Sequence, residues 1–123
     1  MPKKLKVVWA KRPEAHDYTA AASYLALLMP PASAKRSASK LKRAKVVEFK
    51  AKDIFRASGL PLLPVQNAHV KKDEGKILAG LELSPILLVR DAQHGKVIVA
   101  DGYHRMCAVY AFNEDAVIPC QIV

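Results

Sequence analysis

The stretch Val97-Ile-Val-Ala-Asp-Gly-Tyr-His-Arg-Met-Cys-Ala-Val-Tyr110 changes its period halfway along. Val97 to Ala100 is an unbroken apolar run, as a strand requires, whereas Tyr103, Met106, Cys107 and Tyr110 recur at helical steps. One glycine, Gly102, joins the two. The first turn of a helix carries unpaired N–H groups and the positive end of the helix dipole, so a backbone narrowed by Gly102 presents an anion site. His104 and Arg105 fall in that turn. Arg105 offers a planar fork of donors suited to phosphate, and His104 can donate hydrogen bonds or move a proton near neutral pH. The junction reads as a phosphate-binding corner. Two other roles are open here: Asp101 as an N-cap for Tyr103 or His104, and Arg105 as partner of a neighbouring acid.

Working outward, Ile86 to Val89 is a second apolar strand, and the turn Ala92 to Gly95 makes it a hairpin with Val97 to Ala100. Val117 to Val123 reads as a closing strand. Upstream, Asn67 to Gly80 reads as a helix, weakened by Gly75. Val70, Ile77, Leu78 and Leu81 are expected on its packed side, and His69, Lys72 and Lys76, at i, i+3 and i+7, on a basic side. Val47, Phe49 and Ala51 alternate with Glu48, Lys50 and Lys52 as a half-buried strand would, and Asp53 is placed to cap a short helix through Ile54 and Phe55 to Gly59. The order strand, helix, hairpin, helix, strand over residues 46–123 gives a small α/β (α+β) domain with a mixed sheet.

Before it, Tyr18, Ala21, Ala22, Leu25, Leu28 and Met29 mark an amphipathic helix that starts near Pro13 and is stopped by Pro30-Pro31. Residues 32–45 (ASAKRSASKLKRAK) have only Leu41 as a large apolar residue. They read as a linker running into a short basic helical turn, the segment expected to be most mobile. Residues 1–45 are thus an N-terminal helix and basic linker, either part of the same globular unit or a flexible extension.

At 123 residues and 13.5 kDa, with 51% apolar and 25% charged residues, the chain suits one globular domain. No run approaches the roughly 18–20 apolar residues that span a bilayer. After the basic opening Met1-Pro-Lys-Lys-Leu-Lys, only Val7 to Ala10 precede Lys11, so no signal-peptide core is seen and a cytoplasmic location is expected. Cys107 and Cys120 form no CxxC pair and are expected as free thiols, Cys107 on an apolar stripe. His16, His69, His94 and His104 lack zinc-ligand spacing. Trp9, Tyr18 and Tyr110 are taken as packing residues.

The net charge of +9 is uneven: residues 1–56 hold 14 Lys and Arg against 4 acids, residues 57–123 only 6 against 7. The basic half, especially Lys35, Arg36, Lys40, Lys42, Arg43 and Lys45, suits a nucleic-acid backbone or a solvated face. No aromatic residues interleave it, so stacking on single-stranded bases is not indicated.

Leu83-Ser-Pro-Ile-Leu-Leu-Val-Arg90, Val97 to Ala108 and Val117-Ile-Pro-Cys-Gln-Ile-Val123 together resemble the ParB/sulfiredoxin superfamily over residues 46–123. The resemblance implies that Gly102, Tyr103, His104 and Arg105 bind the phosphates of a nucleotide, with His69, Lys72 and Lys76 on the preceding helix approaching the same phosphates. Sulfiredoxins need a cysteine where this chain has Tyr103, so sulfinic acid reduction is not expected. Partition proteins of the ParB type carry a helix-turn-helix domain after this fold, whereas this chain ends on the last strand. The kinase-like members share an Asp-Gly-x-His-Arg turn, which Asp101 to Arg105 matches. Their catalytic glutamate aligns with Gln66 or Asn67, neither of which can act as a base, so Glu74 or Asp101 would have to serve. The expectation is a protein that binds a nucleoside di- or triphosphate of the ATP or CTP type, with magnesium if it turns over. Asp101 is then a magnesium ligand or base, and Asp101 and His104 are the catalytic candidates. The alternative is a non-enzymatic nucleic-acid-binding module.

Overall fold

A computed structural model describes residues 6–123; the basic opening, Met1 to Leu5, lies outside them. In chain order the elements are β1 (Val8–Trp9), α1 (Ala15–Leu25), α2 (Pro31–Arg43), β2 (Val47–Lys50), α3 (Ala51–Ser58), α4 (Ala68–Ala79), β3 (Glu82–Leu83), β4 (Ile86–Asp91), β5 (Lys96–Asp101), α5 (Tyr103–Phe112) and β6 (Val117–Ile122). A mixed four-stranded sheet runs β2-β6-β4-β5, with β4 and β6 parallel and the other pairs antiparallel. A single 3-10 turn, Ala92–His94, closes the β4–β5 hairpin.

The unbroken apolar run in β4 has a physical cause. Ile86 and Leu88 face the core formed with α3, α4 and α5, while Leu87 and Val89 face α1 and α2. Both faces of the sheet are covered, so alternation with polar residues is lost. In β5, Val97 and Val99 face one layer and Ile98 and Ala100 the other. The result is a three-layer domain with helices on each side.

Residues 32–45 are not a linker. Most of them form α2, whose buried Ala34, Ala38 and Leu41, at i, i+4 and i+7, make a narrow apolar stripe against α1 and the sheet. Small side chains suffice because they let the two helices approach closely. Inside the sheet, buried Gln121 of β6 fixes this layer: its amide oxygen accepts from the Tyr18 hydroxyl and its amide nitrogen donates to the Ala44 carbonyl at 2.7 Å.

Other expectations shift at element ends. α1 ends at Leu25 rather than Met29, leaving Leu27 and Leu28 exposed, because Pro30 and Pro31 have no N–H to give the Ala26 and Leu27 carbonyls and their rings crowd the preceding turn. β2 stops at Lys50 and is an edge strand exposed along its length, so Val47 and Phe49 are not half-buried, and Ala51 opens α3. Lys50, not Asp53, occupies the cap position of α3, and Asp53 instead meets Arg56 at 3.4 Å. In α4, Val70 and Ile77 are buried but Leu78 and Leu81 are exposed. The two-residue strands β1 and β3 pair in parallel as a small second sheet that the sequence pattern does not announce. Trp9, Tyr18 and Tyr110 pack as expected, Tyr110 against Phe55 with ring centroids 4.8 Å apart. Cys107 and Cys120 are free and buried, and burial pushes the Cys120 thiol up to about 12. No helix among the described residues is long and apolar enough to cross a membrane.

Candidate functional site

The hairpin pairing slips by one residue at its end: Leu88 pairs with Val99, but Leu87 pairs with Asp101. The extra residue, Ala100, bends the strand just before the junction, and such bulges re-aim the side chain that follows. Gly102 then takes φ +111°, and a Cβ there would lie 2.4 Å from Ile86 Cγ2 and 2.8 Å from Ile86 Cβ. Only glycine fits, both for backbone conformation and for space. α5 starts immediately, with no side chain capping its first N–H groups.

Asp101 is therefore not the N-cap. Its carboxylate accepts from Arg105 Nη2 at 2.8 Å, and the same nitrogen lies 3.4 Å from the Pro85 carbonyl. Arg105 is mostly buried, and its Nε–H has no partner among the described residues. Arg105 thus fills one of the roles open to it, pairing with a neighbouring acid. Burial pushes the Asp101 carboxyl up, Arg105 pulls it down, and the buried Asp17 of α1 pushes it up again, leaving it raised.

Beside this pair lies a cleft of about 200 Å³ lined by His69, Lys72, Asp73 and Lys76 of α4 and by Asp101 to Arg105. Asn67 sets the start of α4, its side-chain oxygen accepting the His69 and Val70 N–H groups at 3.0 and 3.3 Å. α4 packs along α5, so its basic side meets the N-terminus of α5. The His69 and His104 rings lie 4.8 Å apart, and His104 stacks on Tyr103 at 5.7 Å. The Tyr103 hydroxyl donates to the Pro61 carbonyl at 2.5 Å, which fixes its ring. Burial, then His69, push the His104 imidazole below its ordinary value, while Asp73 opposes them. Lys72 and Lys76 make no ion pair among the described residues.

The structure brings together every residue expected at the phosphate corner: His69, Lys72, Lys76, Gly102, Tyr103, His104 and Arg105, with Asp101 at the edge. It also adds Asp73. Burial raises this carboxyl, and Arg105, Lys76, His104 and Lys72 draw it back in that order. Its position four residues after His69 was the available signal. Glu74 does not line the cleft, and Asn67 is occupied as a cap.

The six basic residues singled out for nucleic acid, Lys35, Arg36, Lys40, Lys42, Arg43 and Lys45, divide. Lys35, Arg36, Lys40 and Arg43 line one exposed groove on α2. Lys42 turns away, its Nζ 5.6 Å from the centre of the Tyr18 ring, and Lys45 lies beyond the helix. Glu14, His16 and Asp17 gather three ligand-type atoms at the start of α1. The Asp17 carboxylate there accepts the Glu14 N–H at 2.9 Å, so helix capping accounts for its place.

No protein-family model, no curated protein and no solved structure matches the chain.

Proposed function

We propose that the protein is a nucleotide-binding domain of the ParB/sulfiredoxin type, in which the cleft between α4 and α5 holds the phosphates of a nucleoside di- or triphosphate. The observation that carries this reading is the convergence of Lys72, Lys76, His69 and His104 on the uncapped N-terminus of α5 behind Gly102. Two ammonium groups without an ion pair among the described residues, and a row of N–H donors, provide charge and directed hydrogen bonds for a phosphate chain. Arg105 supports the corner mainly from beneath, through Asp101. The mixed sheet formed by residues of the 46–123 segment supports the reading at the level of fold class, a small α/β domain.

Magnesium fits the donor set modestly. With Asp101 held by Arg105, Asp73 is the carboxylate left to share a cation with phosphate oxygens, and one carboxylate plus phosphates is an ordinary arrangement for this ion. If turnover occurs, phosphoryl transfer or nucleotide hydrolysis is the reaction class, and Asp73 stands beside Asp101 and His104 as a candidate to accept the proton.

Thermal shift with ATP and CTP, with and without magnesium, tests the reading, because a ligand bound only by the native state raises the melting temperature. Lys72→Ala with Lys76→Ala should lose most of the shift, each charge-assisted contact contributing about 1.5–3 kcal/mol. Absence of any shift at millimolar nucleotide overturns it. A second reading, nucleic-acid binding, is favoured by the exposed basic face of α2. Changing Lys35, Arg36, Lys40 and Arg43 to glutamate should then abolish salt-sensitive DNA binding while leaving the nucleotide shift intact.

A further inference from the structure

The α4–α5 cleft has a neighbour on the other side of the β5–α5 junction residues. A second chamber of about 410 Å³ shares Asp101, Gly102, Tyr103 and His104 with the first. Its other walls are Ala20 and Tyr24 of α1, Leu60, and Val99 and Ala100 of β5. The chemistry changes across the shared rim. Lysines, an arginine and two carboxylates line the first chamber, whereas the second has no lysine or arginine and is walled mainly by aliphatic and aromatic groups.

An anionic tail joined to a flat aromatic body is what such a pair of chambers suits. Resting on the phosphate reading above, we infer that the second chamber seats the base of the nucleotide, so that α1 completes a site whose phosphate end lies between α4 and α5. The chamber's volume falls in the range of small-molecule sites, roughly 300–1,000 Å³. Tyr103 forms a rigid partition, its hydroxyl anchored on Pro61 and its ring against His104. Tyr24, 42% exposed, adds a second aromatic side chain to the lining. Ala20, one turn earlier on α1, is small and leaves the space open. Beyond the shared rim the lining offers no charged side chain and no side-chain amide, so the base is held by stacking and burial rather than by reading of its edge.

Isothermal titration of the full chain with ATP and with inorganic tripolyphosphate separates the two chambers. Tripolyphosphate probes the corner alone. ATP should bind about tenfold or more tightly than tripolyphosphate, on the scale of one aromatic–base stack. Tyr24→Ala, and independently Ala20→Trp, which fills the chamber from an exposed helix position, should remove that advantage and leave tripolyphosphate affinity unchanged. Tyr24→Phe should retain it. Equal binding of ATP and tripolyphosphate by the unaltered protein overturns the base chamber while the phosphate corner stands, as does an ATP advantage that survives both substitutions. If neither ligand binds, the phosphate reading falls and the base chamber falls with it.

Discussion

Gly102 is where the geometry of the corner is decided, because its φ of +111° and its contact with Ile86 each exclude a side chain. Gly102→Ala should cost about 1–3 kcal/mol in backbone strain, with a comparable contribution from overpacking, and urea unfolding should show the midpoint falling accordingly. A midpoint equal to that of the unaltered protein would mean that the β5–α5 junction is not built as described. His104 gives the corner a proton-linked character. Burial first, then His69 and Arg105, hold its imidazole below the ordinary 6.5, so the folded protein takes up this proton less readily than the unfolded chain. In the absence of ligand, His104 therefore subtracts stability as pH falls below about 6.5. A phosphate in the cleft favours the charged ring and reverses the sign. Nucleotide binding near pH 6.5 should accordingly take up a proton, detectable as a buffer-dependent enthalpy, and the coupled affinity should rise by at most about tenfold per pH unit of acidification. His104→Asn should bind without this uptake. Persistence of the uptake in that variant would move the titrating group elsewhere.

At the scale of elements, the α1 and α2 layer is held to the sheet by an apolar cluster and by one buried amide. Gln121→Leu would leave the Tyr18 hydroxyl and the Ala44 carbonyl without their partner, at about 1–3 kcal/mol for each group that water cannot reach. Melting should fall by several degrees, with hydrogen exchange in α1 and α2 rising before that in α5; a uniform change across all helices would argue against this role. The same elements show what sequence can and cannot tell. The β5–α5 junction was legible because a single glycine separates an apolar run from helical spacing, and the basic side of α4 because His69, Lys72 and Lys76 recur at fixed steps. α2 was not legible as a packed helix: Ala34 and Ala38 carry little hydrophobic signal among lysines and serines, yet small residues are what close helix approach needs. β1 and β3 are too short for any period to appear. The Asp101–Arg105 pair is spaced i, i+4, but its formation depends on the bulge at Ala100, a feature of pairing rather than of local sequence.

For the whole molecule, the decisive feature is that the sheet is covered on both sides by chain from opposite ends of the sequence. Residues 46–123 contain every strand of the four-stranded sheet, three helices and the cleft between α4 and α5, which suggests an autonomous domain with 1–45 as an addition. Packing argues otherwise. Leu87, Val89 and Ala100, together with Ile98 and Val123, owe their burial to Tyr18, Ala21, Leu25, Ala34 and Leu41 of α1 and α2. Removing those helices would expose a contiguous apolar face and strip buried Gln121 of both its partners, and soluble monomers rarely carry such a patch. A fragment of residues 46–123 should therefore associate or form a loosely packed state that binds a hydrophobic dye and unfolds without a sharp transition. Adding residues 6–45 as a separate peptide should not fully restore it, because the covalent connection that keeps the helices at high effective concentration is lost. If the fragment instead melts cooperatively near the temperature of the full chain, the α1 and α2 layer is dispensable to the fold. ATP would then bind that fragment no better than tripolyphosphate does, since Ala20 and Tyr24 would be gone while the corner between α4 and α5 remained.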